Sequence, residues 1–438
     1  MKKKGHSREA LIVLIAGVLF NLTIQVLYVW SIIKDILMKP ESDGGFGWSS
    51  GQAGLPYTLA IIFFALGVLI GGRVQDKTGP RWVATAGGAM VGLGLIISGL
   101  AGNSPFGIAI GYGVVTGLGI GFGYGSILPA CIKWFHSNKK GLIGGIVLGG
   151  FGLASVHYAF ITSALCQAYG IYETFLFLGI AVTVVSVLAA QFIKNPQQIV
   201  APEQTTAPEQ TQSEAQNKIP QQSPTKPQTT ATARPQTSPT PLTDYTWKEM
   251  LKTKQFYLIF VLFLFSASMG LMIIGNLARI ANIQAGIINA AFFISMVAVV
   301  NALGRILGGL LSDKIGRVNT LFIAIIIQML NMVGFIFYQD VMFVTFGFII
   351  TGFCFGTFLA VFPALTADMY GLKNYGVNYG IVYLAYGLAG TAAPVIADFF
   401  FTRNGNFQTT YIICAIIMAL MIAVNYLIAK KPNSTSSG

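Results

Sequence analysis

Twelve runs of apolar residues, each about 20 residues long, follow one another along this sequence of 438 residues. A helix of about 20 apolar residues crosses roughly 30 Å of hydrocarbon, so the runs predict an all-α membrane protein with twelve transmembrane helices. Only 10% of the residues are charged, whereas a water-soluble domain carries about a quarter. The predicted spans are 9–34, 52–72, 82–102, 105–132, 141–167, 172–193, 256–279, 286–311, 318–338, 341–367, 376–398 and 408–429.

Lysine and arginine are concentrated on one predicted side of the membrane. If the N-terminus is inside, four of the 27 such residues lie outside, one lies within a span and the remaining 22 lie inside. Cytoplasmic loops carry such an excess, so we predict a multi-pass protein of the plasma (inner) membrane with both termini in the cytoplasm. The net charge of +12 then reflects topology and attraction to anionic lipid rather than nucleic-acid binding.

The composition changes abruptly to Pro, Gln, Thr and Ala between the sixth and seventh spans. Too little of this segment is apolar to pack a core, so residues 195–247 are predicted to form a disordered cytoplasmic linker. It separates an N-terminal six-helix bundle, 1–194, from a C-terminal one, 248–438.

The two halves repeat each other. GGRVQDKTGPR, from Gly71, returns as GGLLSDKIGR, from Gly308, and GLIGGIVLGGFGLA, from Gly141, returns as GVNYGIVYLAYGLA, from Gly376. FGYGSILPA likewise returns as FGTFLAVFPA, and all three pairs are separated by 233 to 237 residues. Parallel repeats of this kind are typical of alternating-access carriers, whose site lies near the midplane between the halves.

The paired loops of the form G-x-x-x-D-x-x-G-R and the layout of six spans, a linker and six spans resemble the major facilitator superfamily. Within it, GLGIGFGYGSILPACIKWFHSNKKG and the N-x-x-x-R of span eight resemble the oxalate/formate antiporters and the monocarboxylate transporters. The resemblance implies two pseudo-symmetric six-helix bundles and a carboxylate substrate. Two departures accompany it: Tyr386 aligns with a lysine of the oxalate antiporters, and Asn301 aligns with an aspartate of the animal monocarboxylate transporters.

The repeated loops carry charged residues beside tight glycine turns. Asp76 and Asp313 can pair with nearby basic groups or with helix N-termini, in contacts that hold one conformation and break in another. We therefore predict a gate latch on the cytoplasmic side, called the inner latch, formed by Asp76, Arg81, Asp313 and Arg317. The alternative is a set of solvated turn residues.

Arg305 is the one cation that lies away from the end of a predicted span. It precedes Asp313 by eight residues, roughly 12 Å along a helix, which places it near the middle of span eight. A buried cation there costs about 2.5 to 3.5 kcal/mol and indicates a functional site. None of the 15 acidic residues is predicted near a span centre, so we infer that a substrate carboxylate pairs with Arg305. The alternative is a structural arginine that reaches the cytoplasm or binds backbone carbonyls.

The repeat locates further contacts, because it places Val68 and Phe64 where the C-terminal half has Arg305 and Asn301. Asn301 lies one helical turn before Arg305 and shares its face. Tyr383 and Tyr386 take the places of Leu148 and Phe151, which predicts a polar clamp facing an apolar wall. The predicted substrate-binding residues are Arg305, Asn301, Tyr383, Tyr386, Tyr124, Leu148 and Phe151, with ordinary packing as the alternative for the tyrosines and for the wall.

One arginine balances one carboxylate, so a monocarboxylate such as lactate, pyruvate or formate fits better than a dianion. We predict a monomeric secondary transporter that uses alternating access and proton symport. Candidate proton-coupling residues are His157, Asp35 and Asp398. The alternatives are a proton carried with the acid, electroneutral anion exchange, or a transporter-like nutrient sensor. No catalytic constellation, metal site or cofactor is indicated, so an enzyme is not predicted.

Overall fold

The computed structural model describes residues 2–27, 30–43, 45–135, 139–196, 244–287 and 290–429. Twelve helices in these ranges are long and apolar enough to cross a membrane, and no strand occurs in them, which confirms the all-α prediction. They are α1 (Lys2–Ile24), α2 (Ser50–Thr78), α3 (Pro80–Leu100), α4 (Pro105–Ile132), α5 (Lys140–Tyr169), α6 (Ile171–Ala190), α7 (Lys254–Gly275), α8 (Ala291–Ile315), α9 (Arg317–Phe335), α10 (Val341–Tyr370), α11 (Tyr375–Asn404) and α12 (Gln408–Ala429).

The first helix of each half is shorter than predicted. The apolar runs 9–34 and 256–279 each contain a helix that ends early and a second, short helix beyond the break. The short helices are Trp30–Met38 after α1 and Leu277–Ala285 after α7. Each break carries only one polar residue among those described, Gln25 or Asn276, and apolar residues resume directly after it, so hydrophobicity did not reveal the breaks.

Tyrosine side chains bind the backbone carbonyls at the break after α1. The hydroxyl of Tyr158 donates to the carbonyl oxygen of Thr23 at 2.5 Å, and that of Tyr112 donates to the carbonyl oxygen of Val26 at 2.9 Å. Unpaired backbone groups are costly at membrane depth unless neighbouring side chains bind them. These two hydrogen bonds therefore stabilise the interruption of the first span.

The described end of the predicted linker contacts the C-terminal half. Of the proposed linker, 195–247, only its two ends lie among the described residues. At the second end, the amide N–H of Tyr245 donates to the carbonyl oxygen of Tyr370 at 3.1 Å, and the Asp244 carboxylate accepts from the amides of Leu372 and Lys373. Asp244 and Tyr245 are therefore bound to the end of α10 and to the turn before α11.

The two halves meet along two helix pairs, α5 with α8 and α2 with α11. Glycine allows both crossings, because a Cβ at Gly145 would collide with the carbonyl oxygen of Arg305 on α8. Likewise, a Cβ at Gly72 would collide with the backbone of Gly376 on α11. Small residues let membrane helices approach this closely. The glycine-rich repeats thus lie where the halves contact each other.

Candidate functional site

Arg305 on α8 is buried between the halves, with 1% of its surface exposed. Its Nε donates to Oδ1 of Asn301 at 3.0 Å, and its Nη1 donates to the backbone carbonyl oxygen of Leu148 at 2.7 Å. Within the described ranges the guanidinium forms no ion pair with an acid. Two of the five guanidinium N–H groups are thus engaged, and three remain for an anion.

The contact with Leu148 differs from the prediction. Leu148 was expected to contribute hydrocarbon to an apolar wall, but it is its carbonyl oxygen on α5 that binds Arg305. Because α5 belongs to the N-terminal half and α8 to the C-terminal half, this hydrogen bond crosses between the halves. Binding of a backbone carbonyl is also what the structural alternative for Arg305 predicted.

A glycine provides the space for the guanidinium. A Cβ at Gly152 would lie 3.1 Å from Oδ1 of Asn301 and 3.5 Å from Nε of Arg305. A methyl group there would crowd the Asn301 amide oxygen and lie in ordinary contact with the guanidinium. The sequence analysis did not single out Gly152, although the glycine-rich repeat beginning at Gly141 contains it.

Aromatic side chains from four helices pack beside Arg305. Phe64 of α2 lies at the centre, with ring centroids 5.5 Å from Tyr124, 5.7 Å from Phe151, 5.4 Å from Tyr383 and 6.2 Å from Tyr386. We call these five residues the aromatic cluster. The structure therefore brings together the four predicted aromatic residues. Phe64 is an additional member that was not predicted, because the alignment of the two halves had identified it only as the residue equivalent to Asn301.

The aromatic cluster adjoins the cation directly. The Arg305 Cζ atom lies 5.8 Å from the centroid of the Phe151 ring, a distance at which the ring face attracts a cation. All five cluster side chains are buried. A small anion at Arg305 would therefore have a charged clamp on one side and aromatic rings around its apolar part.

The candidate proton-coupling residues lie apart from this site. His157 on α5 is partly buried and packs on Tyr158, with ring centroids 4.3 Å apart. Asp398 is exposed at the outer end of α11 and pairs with Arg279 at 2.5 Å. Partial burial raises the pKa of the Asp35 carboxyl, against the opposing effect of nearby lysines. None of the three candidates is hydrogen-bonded to Arg305 in the described part of the chain.

The C-terminal half supplies one part of the predicted inner latch. Asp313, at the end of α8, accepts the amide N–H groups of Gly141 at 2.9 Å and Leu142 at 2.7 Å, in the first turn of α5. Arg317 donates to the same carboxylate at 2.5 Å. A carboxylate is stabilised at a helix N-terminus by unpaired amides and the helix dipole. Asp313 thus links the end of α8 in one half with the start of α5 in the other.

The N-terminal half supplies the symmetric contact. Asp76, near the end of α2, accepts the amide N–H groups of Gly376 at 3.1 Å and Val377 at 3.0 Å, in the first turn of α11. The predicted basic partner, Arg81, is exposed and forms no ion pair with Asp76. Lys133 lies nearer: burial lowers its pKa, and the charges of Asp76 and Asp244 oppose that change.

A further ion-pair group joins the latch and was missed from the sequence. Asp368, near the inner end of α10, accepts from Nζ of Lys140 at 2.9 Å and from Nε of Arg317 at 2.9 Å. Lys140 is buried at the start of α5, so this pair also crosses between the halves. Both residues had been assigned to the inner surface, and no sequence pattern indicated that they would meet.

Tyr379 on α11 was also missed in the sequence analysis. Its side chain is 2% exposed, and its hydroxyl has no partner at hydrogen-bonding geometry in the described structure. The signal was present in the sequence, because Tyr375, Tyr379 and Tyr383 are four residues apart and so share one helical face.

Comparisons with known proteins agree with this architecture. A family model described as "Major Facilitator Superfamily" matches residues 10–350 and 332–438. The chain is 28% identical over 397 residues to an uncharacterized MFS-type transporter, YhjX, of Escherichia coli, with 89% of this chain and 87% of the relative covered. It is 25% identical over 412 residues to an oxalate:formate antiporter of Oxalobacter formigenes, covering 91% and 86%.

A solved structure shares the fold. The crystal structure of the transporter FucP in the outward conformation matches with a TM-score of 0.65 and 13% sequence identity. The match covers 96% of this chain and 100% of that chain. At this identity the likeness concerns the fold alone.

Proposed function

The chain belongs to the Major Facilitator Superfamily, and on that premise we propose that it carries small monocarboxylates across the membrane by alternating access. It works as a monomer in the plasma membrane, with the latch side facing the cytoplasm, as the distribution of Lys and Arg favours. Lactate, pyruvate and formate are the substrates of matching size and charge.

The observation that carries this proposal is the environment of Arg305. It is a buried cation with no acidic partner in the described residues and with three N–H groups uncommitted. A carboxylate matches the planar guanidinium through two parallel hydrogen bonds. Tyr386 stands where the resemblance placed a second cation, which favours a monoanion over oxalate.

The hydrogen bond from Arg305 to Leu148 connects substrate binding with the movement of the halves. An arriving carboxylate binds uncommitted N–H groups of the same guanidinium whose Nη1 holds α5. A shift of the guanidinium toward the anion then weakens the hydrogen bond to the Leu148 carbonyl and lets the halves separate at the site. Opening of the inner side then requires the Asp313 and Asp76 contacts to break, because each joins helices of opposite halves.

Transport is coupled to a proton in this proposal, and the proton enters with the acid or through a side chain. The runner-up is electroneutral anion exchange, favoured by the relative named as an oxalate:formate antiporter. Under exchange, a second anion replaces the first at Arg305 before the halves return. The two schemes predict different driving forces for uptake.

One experiment separates these schemes. The purified protein is reconstituted into proteoliposomes, and uptake of labelled pyruvate, lactate and formate is measured with and without an inward proton gradient. Each condition is run with internal anion present and absent. Symport predicts gradient-driven uptake into anion-free vesicles, and exchange predicts uptake only into anion-loaded ones. Absence of saturable uptake of all three acids in every condition would refute the proposed function.

A further inference from the structure

Tyr379 has a buried hydroxyl that the fold does not use. Its neighbour one turn earlier, Tyr375, donates its hydroxyl to the carbonyl oxygen of Pro363 at 3.2 Å. The Tyr379 hydroxyl, equally buried on the same helix, meets no acceptor or donor at hydrogen-bonding geometry in the described structure. Buried hydroxyls are normally paired, so an unpaired one points to a ligand that binds there.

The position of Tyr379 indicates which ligand that is. Its ring centroid lies 5.6 Å from that of Tyr383, a member of the aromatic cluster. Its hydroxyl lies within electrostatic reach of the Arg305 guanidinium. The hydroxyl of Tyr124 also interacts with it, but the pair does not meet hydrogen-bonding geometry. The group is therefore directed toward the buried cation rather than toward lipid.

Tyr379 also lies between the cation and the inner latch. Gly376, whose amide binds Asp76, is three residues earlier on α11. Tyr383, in the aromatic cluster, is one helical turn later. Tyr379 therefore lies on α11 between the aromatic cluster and the residues that bind the inner latch.

We propose that the Tyr379 hydroxyl donates a hydrogen bond to the carboxylate held by Arg305, on the inner side of that site. This inference rests on the proposed function. A carboxylate has two oxygens with about four acceptor positions, so the guanidinium can hold one edge while the phenol donates to a remaining lone pair. A neutral donor adds affinity without a second positive charge, which suits a monoanion and not a dianion.

The test compares two tyrosines that lose the same atom. Tyr379→Phe removes the unpaired hydroxyl, and Tyr375→Phe, the matched control, removes a hydroxyl that has a protein partner. For each purified variant, equilibrium binding of labelled pyruvate, lactate and formate is measured, together with the thermal unfolding midpoint without ligand.

We expect Tyr379→Phe to weaken binding about tenfold or more, as loss of a hydrogen bond to a charged group does, and to leave the midpoint unchanged or higher. Tyr375→Phe should bind like the wild type and unfold at a lower temperature. A lower midpoint for Tyr379→Phe would mean that the hydroxyl has a structural partner, which overturns the inference.

The remaining outcomes distinguish this inference from the proposed function. If the wild type binds the three acids and Tyr379→Phe binds them equally well, only the role of Tyr379 is refuted. If the wild type binds none of them, both the proposed function and the role of Tyr379 are refuted.

Discussion

Replacement of Arg305 by glutamine is expected to abolish anion binding and leave the protein folded. The substitution removes two hydrogen bonds of a charged donor, at 3.0 Å to Asn301 and 2.7 Å to the Leu148 carbonyl. At about 1.5 to 3 kcal/mol each they contribute about 3 to 6 kcal/mol. Removal of the cation also abolishes the cost of holding a charge at mid-membrane, which is about 2.5 to 3.5 kcal/mol. The net loss of stability is therefore at most about 3.5 kcal/mol.

The same substitution removes a larger share of the free energy of substrate binding than of the free energy of folding. A bidentate pair between guanidinium and carboxylate consists of two charge-assisted hydrogen bonds, together about 3 to 6 kcal/mol. Since each 1.4 kcal/mol corresponds to about a tenfold change in affinity, Arg305→Gln should weaken binding at least about 100-fold. Arg305→Lys should also lose uptake, because one ammonium cannot hold the same two protein oxygens and grip a carboxylate bidentately.

The assay is uptake of labelled pyruvate, lactate and formate into proteoliposomes, with thermal unfolding and gel filtration as folding controls. Arg8→Gln, which removes an exposed cation at the inner end of α1, serves as the matched control and should transport like the wild type. Monodisperse Arg305→Gln protein that takes up any of these acids at the wild-type rate would refute the role of Arg305.

Three further substitutions test contacts at the inner side and between the halves. Asp313→Asn removes the charge that caps α5, and it should raise several-fold the labelling of a cysteine introduced at the inner mouth. The control, Asp340→Asn, removes a cap at the start of α10 that lies within one half, and it should leave the labelling unchanged. Equal labelling of the two variants would contradict the latch. Gly145→Ala drives a Cβ into the facing backbone, so it should lower the stability of the protein by about 1 to 3 kcal/mol and slow uptake. The control, Gly144→Ala, should change neither, because its Cβ meets only a leucine methyl group at 3.5 Å. Wild-type stability and uptake in Gly145→Ala would show that the helix crossing tolerates a methyl group. Asp244→Asn should free the end of the linker and speed its cleavage by trypsin in limited proteolysis, and an unchanged cleavage rate would disprove its role as an anchor.

The features predicted correctly from the sequence are those that depend on local composition and on its repetition. Twelve apolar runs determine twelve spans because every spanning helix must be about 20 apolar residues long. The repeated loops determine that Asp76 and Asp313 occupy equivalent places in two halves. Arg305 was recognisable because a cation in an apolar run is conspicuous without knowledge of its neighbours.

Other features appeared only when distant segments were placed together. The break after α1 depends on tyrosines of α4 and α5 that bind its carbonyls, while its own described sequence contains only one polar residue, Gln25. Lys140 and Asp368 are 228 residues apart, and their charges alone do not say that they pair. A sequence can show which residues carry charge, but pairing depends on distance and direction in space.

The site itself divides in the same way. The sequence by itself determined that α8 carries a buried cation and that tyrosines lie on α4 and α11, since residue type and helical spacing suffice for that. Only the tertiary structure decided that Leu148 contributes a carbonyl oxygen and that Phe64 lies at the centre of the aromatic cluster. It also decided that the Tyr379 hydroxyl meets no group at hydrogen-bonding geometry among the described residues. Hydrogen bonding is directional and short-ranged, so which groups are satisfied and which are left for a substrate is known only once every neighbour is in place.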